Sequence, residues 1–122
     1  NWVTYQTQGE TWQGFESIRA IPELDEEMLL VPMAGHTRGH SGIAVNTEDG
    51  WLLRCGDAYF HHNQMSNDPS CPMGLELFQR GLAMNNKDRV HNLQRLQTLA
   101  QSTHGEVQLF SAHDAFELSR YQ

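Results

Sequence analysis

The sequence predicts an α/β protein. Three observations predict it. Short apolar runs at residues 28–33, 51–55 and 107–110 are bounded by charged or turn residues, which marks buried strands. Residues 75–85 and 88–103, between the second and third runs, carry helical spacing instead. Each run also ends in small residues that hold a metal-ligating side chain: Gly35-His36, Gly56-Asp57 and Ser111-Ala112-His113. Loops at strand ends are where sheet proteins place reactive groups, and two imidazoles with a carboxylate make a plausible metal-binding set.

In chain order, residues 2–7 are aromatic and β-branched and read as a strand. Gln8-Gly9-Glu10-Thr11 is the expected turn of a hairpin whose second strand covers residues 12–18, with Trp2, Tyr5, Trp12 and Phe15 packing on the sheet. Residues 21–27 form an acidic connector, expected as a solvated turn. The strand at 28–33 delivers His36. Residues 41–46 and 50–54 flank Glu48-Asp49-Gly50, a hairpin signal because glycine accepts positive φ. Strand register in that hairpin sets the spacing between His36 and Asp57.

Residues 58–74 contain Pro69, Pro72 and several small polar residues, so a long loop is expected there, and loops of that length are often functional. Leu75, Phe78 and Leu82 define the helix at 75–85. Val90, Leu93, Leu96, Leu99 and Ala100 give the helix at 88–103 a core-facing stripe. Asn86 is its expected N-cap, Asp88 suits its first turn, and Gly105 stops it. Residues 107–110 form the last strand, and 115–122 a tail or final helical turn.

Composition narrows the function. Eight basic residues against fifteen acidic ones leave a net charge of −7, which argues against a nucleic-acid backbone or an anionic membrane as partner. Two cysteines make no disulfide framework, so a reducing, cytoplasmic setting is expected, with Cys55 a buried packing residue. No run reaches the ~18 apolar residues of a membrane helix, and no signal peptide is visible. The chain starts at Asn1, which leaves a lost leader open.

The ordered set Gly35-His36-Thr37-Arg38-Gly39-His40-Ser41, Cys55-Gly56-Asp57 and Ser111-Ala112-His113-Asp114 resembles the C-terminal half of a metallo-β-lactamase superfamily hydrolase, of the glyoxalase II or lactonase type. The resemblance covers roughly residues 28–114. It implies that residues 1–122 are a partial domain, the C-terminal half of an αββα sandwich, with one mixed sheet and helices on its outer face. The family's His-x-His-x-Asp-His signature of the N-terminal half does not occur in this sequence, and Arg38 stands where many relatives carry proline.

By motif position the resemblance makes His36 a ligand of one metal, Asp57 the bridge between two, and His113 a ligand of the other. The cofactor implied is two zinc ions per full-length chain, with iron or manganese as alternatives, or no ion in this fragment alone. His40 would orient the loop from behind the site. Asp114 would take a proton from an imidazole or cap the next turn. Tyr59, with Asp57, would be catalytic, its phenol polarising a substrate carbonyl. The function implied is hydrolysis of an ester, thioester, lactone or lactam by the full-length parent, with the fragment inactive alone. The alternative is a non-catalytic half-domain that acts as a binding module. The expected partners are a small-molecule substrate and either the missing half or a second copy, paired across the open sheet face.

Overall fold

The computed structural model describes residue 4 and residues 9–17 and 27–121. Within them the chain forms β1 (Glu10–Trp12), β2 (Phe15–Ser17), β3 (Met28–Pro32), β4 (Ser41–Thr47), β5 (Gly50–Arg54), α1 (Met73–Leu82), α2 (Asn86–Ser102), β6 (Val107–Phe110) and α3 (Ala115–Leu118). Short 3-10 turns occupy His62–Met65 and Ser119–Tyr121. Strands β3 to β6 make one sheet in that order, antiparallel up to β5 and parallel between β5 and β6. This is the mixed sheet with helices that the resemblance implies. Among the described residues no helix is long and apolar enough to cross a membrane.

Alternation along the strands decides the core. Leu29 and Val31 of β3, Ala44 of β4, Leu53 of β5, and Val107 and Leu109 of β6 point to one face and are buried with Leu96 and Leu99 of α2. The intervening Leu30, Ile43, Val45 and Leu52 are only half-buried. The apolar runs predict strands covered on both faces; in the structure one face is closed and the other partly open. The β4–β5 hairpin turns where Asp49-Gly50 predicts, with Gly50 at φ 109° and Thr47 paired with Gly50.

Two helices begin earlier than predicted. The N-cap of α2 is Asn85, whose side chain accepts hydrogen bonds from the Lys87 and Asp88 main-chain N–H groups. Asn86 lies inside the helix and accepts from Arg89 Nε at 2.9 Å. Helix α1 starts at Met73 and stops at Leu82.

The N-terminal hairpin also differs. Gln13 and Gly14 have φ of 49° and 79°, and Trp12 pairs with Phe15 across them. Two consecutive positive φ values make the tight turn that matches strand twist, so the chain reverses at Gln13-Gly14 and not at residues 8–11. Apart from residue 4, the strand expected at residues 2–7 lies outside the described residues, as does most of the acidic connector. Trp12 and Phe15 pack as expected, Trp12 edge-on to Trp51 with ring centroids 5.3 Å apart and Phe15 beneath the Arg95 guanidinium.

Helix α1 does not cover the sheet as an ordinary outer helix would. Its inward residue is polar: Gln79 is 1% exposed, whereas Met73, Leu77 and Phe78 are 79%, 61% and 55% exposed. Gln79 Nε2 donates to Gln64 Oε1, and Glu76 pairs with Arg89 Nη2 at 2.9 Å. Polar anchors thus hold α1 against the body and turn its apolar residues outward.

Candidate metal centre

Three strand-end loops converge on one point, each fixed by main-chain bonds. The loop after β3 is pinned to the start of α2: Asn85 N–H donates to Gly35 O at 2.9 Å, Met84 N–H to His36 O at 3.1 Å, and Asn92 Nδ2 to Ala34 O at 2.7 Å. Gly35 is required there, because a Cβ would collide with the main-chain N of Arg89. Parallel pairing of β5 and β6 continues beyond both strands, through Cys55 N–H to Phe110 O at 2.8 Å and Ala112 N–H to Gly56 O at 2.9 Å. That extension sets His113 beside Asp57.

The Asp57 carboxylate lies between the two imidazoles and offers a different oxygen to each. Oδ1 is 2.7 Å from His113 Nε2, and Oδ2 is 3.6 Å from His36 Nε2. Two donors each ~2.0–2.2 Å from one tetrahedral ion lie roughly 3.3–3.5 Å apart. The His36–Asp57 separation therefore already suits a shared ion, while the His113–Asp57 contact is a direct hydrogen bond that would open to admit one. The donor chemistry, two neutral imidazoles and a carboxylate, fits a metal as far as three residues can.

His40 bonds to both the β3 end and the Asp57 loop. Asp57 N–H donates to its Nε2 at 2.9 Å, so the ring proton sits on Nδ1, which donates to Met33 O at 2.9 Å. The ring thus ties the end of β3 to the Asp57 loop from behind. A cleft of about 700 Å3 opens over His36 and His113, with Phe60 as its floor; the Phe60 ring lies 4.7 Å from His113 and 6.1 Å from His36.

Known proteins are similar to the chain over most of its length. Over 120 residues, 97% of its length, the chain is 31% identical to proteins of Mycobacterium tuberculosis and Mycobacterium bovis, each named a probable metallo-hydrolase. It superposes on an N-acyl homoserine lactone hydrolase with N-hexanoyl-L-homoserine bound at its catalytic metal centre, with a TM-score of 0.58 and 16% identity over 85% of this chain. The same values hold for the B. thuringiensis protein AiiA with N-decanoyl-L-homoserine in its active site. The chain shares part of the metallo-β-lactamase fold of these structures. It spans 39% of the curated relatives and 36% of those two structures. No family model matches it.

The structure corrects the expectation for Tyr59. The turn at Asp57-Ala58-Tyr59-Phe60 sends Asp57 to the two imidazoles and Phe60 to the cleft, while Ala58 and Tyr59 go to the core. The Tyr59 hydroxyl is buried and donates to the Glu117 carboxylate at 2.8 Å, so it does not reach a substrate carbonyl. Burial, with Cys55 and Glu117 close by, pushes its phenol well above the ordinary value. Burial also pushes the Glu117 carboxyl up, although Ser111 N–H and the Tyr59 hydroxyl donate to it. Cys55 is fully buried and its thiol is pushed up by burial and by Glu117, as suits an inert packing residue.

Asp114 is bonded through both carboxylate oxygens. Its Oδ1 caps α3 by accepting the Phe116 and Glu117 N–H groups, and its Oδ2 accepts from the His62 ring Nδ1 at 2.8 Å and from the His62 main chain. Burial would raise this carboxyl, but the bonds from His62 and Glu117 outweigh it and hold it below the usual value. His61, His62 and Asp114 bring their donor atoms within 4.8 Å of one another at the edge of the same cleft. Both Asp114 oxygens are already committed to hydrogen bonds, so its place here is to orient His62. Sequence reading missed His62 and Phe60, which sit in the long loop where no periodicity assigns a facing, and Glu117, whose partners are remote in sequence.

Proposed function

We propose that this chain supplies one side of a dinuclear metal site in a hydrolase of ester, thioester, lactone or lactam bonds. The observation that carries the reading is Asp57, with one oxygen toward His36 and the other toward His113, which is the disposition a bridging carboxylate needs. The metallo-hydrolase names of the relatives and the lactone-hydrolase fold support it. His36, Asp57 and His113 would hold the ions. Zinc is the default for such a nitrogen and oxygen set, and iron or manganese also suits it. Bound ions would supply an activated water and stabilise the developing oxyanion. The chain's own part is to fix Asp57 through His40, to hold the His36 loop against α2, and to wall the cleft with apolar residues that limit water.

One imidazole and a shared carboxylate give each ion two protein donors, short of a full set. A further protein segment therefore completes the cage, and the 122-residue chain alone has no appreciable turnover. The half-buried sheet face with Leu30, Ile43, Val45 and Leu52 is the proposed seat for that segment or for a second copy. The test is equilibrium dialysis against zinc with the chain and its Asp57→Ala variant. The chain is expected to take up zinc and the variant to lose it. Equal uptake by both would remove Asp57 as the bridge, and chelator-sensitive turnover of a thioester or lactone panel by the chain alone would refute the incomplete cage.

A further inference from the structure

We infer that Glu117 is a positioning residue: its buried carboxylate ties the Asp57 turn to the His113 loop and so sets the distance between the Asp57 carboxylate and the His113 imidazole. The consequence for metal affinity rests on the hydrolase reading above; the tie itself does not.

The tie is built from three buried groups. Tyr59, Ser111 and Glu117 are 0%, 3% and 2% exposed. The Tyr59 hydroxyl donates to Glu117, its oxygen lying 2.8 Å from Oε2 and 2.9 Å from Oε1. Ser111 N–H donates to the same Oε2 at 2.8 Å. Tyr59 stands two residues after Asp57, and Ser111 stands two residues before His113. One carboxylate thus holds both loops at the same remove from their ligand-type side chains. Ser111 extends the tie, because its Oγ accepts His113 N–H at 3.3 Å. Glu117 is itself fixed within α3, where its own N–H donates to Asp114 Oδ1 at 3.2 Å.

Two features point to positioning and not to packing alone. A carboxylate is the costly choice here, because burial disfavours its charged form and an apolar residue of similar size would fill the space without that penalty. What the carboxylate adds is a shared acceptor for one donor from each loop. The second feature is where the sheet stops. Among the described residues, the last main-chain bond between the two loops is Ala112 N–H to Gly56 O at 2.9 Å. His40 holds the turn at Asp57 N–H, but it bonds to the end of β3 and not to the His113 loop. Glu117 holds the turn two residues further on and joins it to that loop. With Tyr59 drawn into the core, the turn presents Asp57 Oδ1 to His113 Nε2 at 2.7 Å.

The test uses the 122-residue chain with Tyr59→Phe, Glu117→Ala, Glu117→Gln and Gly14→Ala variants. Tyr59→Phe removes the hydroxyl and keeps the ring. Glu117→Gln keeps an oxygen for both donors, and Glu117→Ala removes it. Gly14→Ala, in the β1–β2 turn, loses stability through backbone strain alone. Two quantities are read: zinc affinity by equilibrium dialysis, and 15N order parameters of residues 56–59 and 111–114 in the metal-free protein. Tyr59→Phe and Glu117→Ala are expected to weaken zinc binding about 10-fold or more. Both should also lower those order parameters from the rigid value of about 0.85. Glu117→Gln and Gly14→Ala should match wild type in both readings. A Tyr59→Phe variant destabilised like Gly14→Ala but unchanged in both readings overturns the proposal, because Glu117 then only satisfies buried donors. So does a Glu117→Gln variant that loses both readings, since an oxygen in place is then not what holds the loops. If Glu117→Ala does not fold, Tyr59→Phe decides. If wild type takes up no zinc, the metal reading falls and the order parameters alone decide the tie; zinc uptake with unaltered readings in Tyr59→Phe keeps the metal reading and removes the tie.

Discussion

Gly56→Ala tests how the Asp57 loop is held. Gly56 sits at φ 58°, where an L side chain costs roughly 1–2 kcal/mol. A Cβ there would lie 2.7 Å from His40 Nε2, the atom that accepts Asp57 N–H. The ring must shift, which weakens its bonds to Asp57 and Met33, each contributing roughly 1 kcal/mol. The total is about 3 kcal/mol. With a urea slope of roughly 1.5 kcal/mol/M, the unfolding midpoint should fall by about 2 M. Gly14→Ala is the control: φ is 79° and nothing lies within 4 Å of its Cβ, so only the backbone cost remains and the midpoint should fall by about 1 M. Zinc affinity should drop about 10- to 100-fold in Gly56→Ala and stay unchanged in Gly14→Ala. Equal midpoint shifts for both variants, or unaltered zinc binding in Gly56→Ala, would refute the role assigned to His40.

Other outcomes follow from the buried groups. Asp114→Ala should cost about 1–2 kcal/mol in urea unfolding, from the lost α3 cap and His62 anchor, whereas Asp114→Asn should keep most of the cap. Because the Asp114 carboxyl is held below its ordinary value, its contribution is present above the unfolded carboxylate range near pH 4 and is lost as pH falls through the lower folded value. Wild type should therefore lose more stability in acid than Asp114→Ala, and parallel pH profiles would contradict this. Glu117 has the opposite sign: its folded value is raised by burial, so its effect is to lower stability as pH rises from the unfolded value through the folded one. Glu117→Gln should abolish that decline, read as the slope of unfolding midpoint against pH. Leu77→Ser, on the outward side of α1, should change stability by less than about 0.5 kcal/mol; a thermal melt lowered by several degrees would show that the helix buries this face.

Local chemistry alone determined much of this protein. Asp49-Gly50 sets the β4–β5 hairpin because positive φ at the turn is a property of glycine itself. Apolar runs ending in Gly35-His36, Gly56-Asp57 and Ala112-His113 identify strand ends with ligand-type side chains, and the relatives and fold agree with the family those motifs resemble. The structure brings the two imidazoles to the one carboxylate. Tertiary structure decided the rest. Tyr59 and Phe60 are adjacent aromatic residues in an irregular loop, and only the packing of Tyr59 against Glu117, 58 residues away, sends one to the core and the other to the cleft. The stripe of Leu75, Phe78 and Leu82 marks a helix face, but periodicity says which residues share a face and not where that face points. Gln79 and Glu76 turn it outward through Gln64 and Arg89, partners remote in sequence. Facing is set by contacts between segments, and those contacts exist only once the chain is folded.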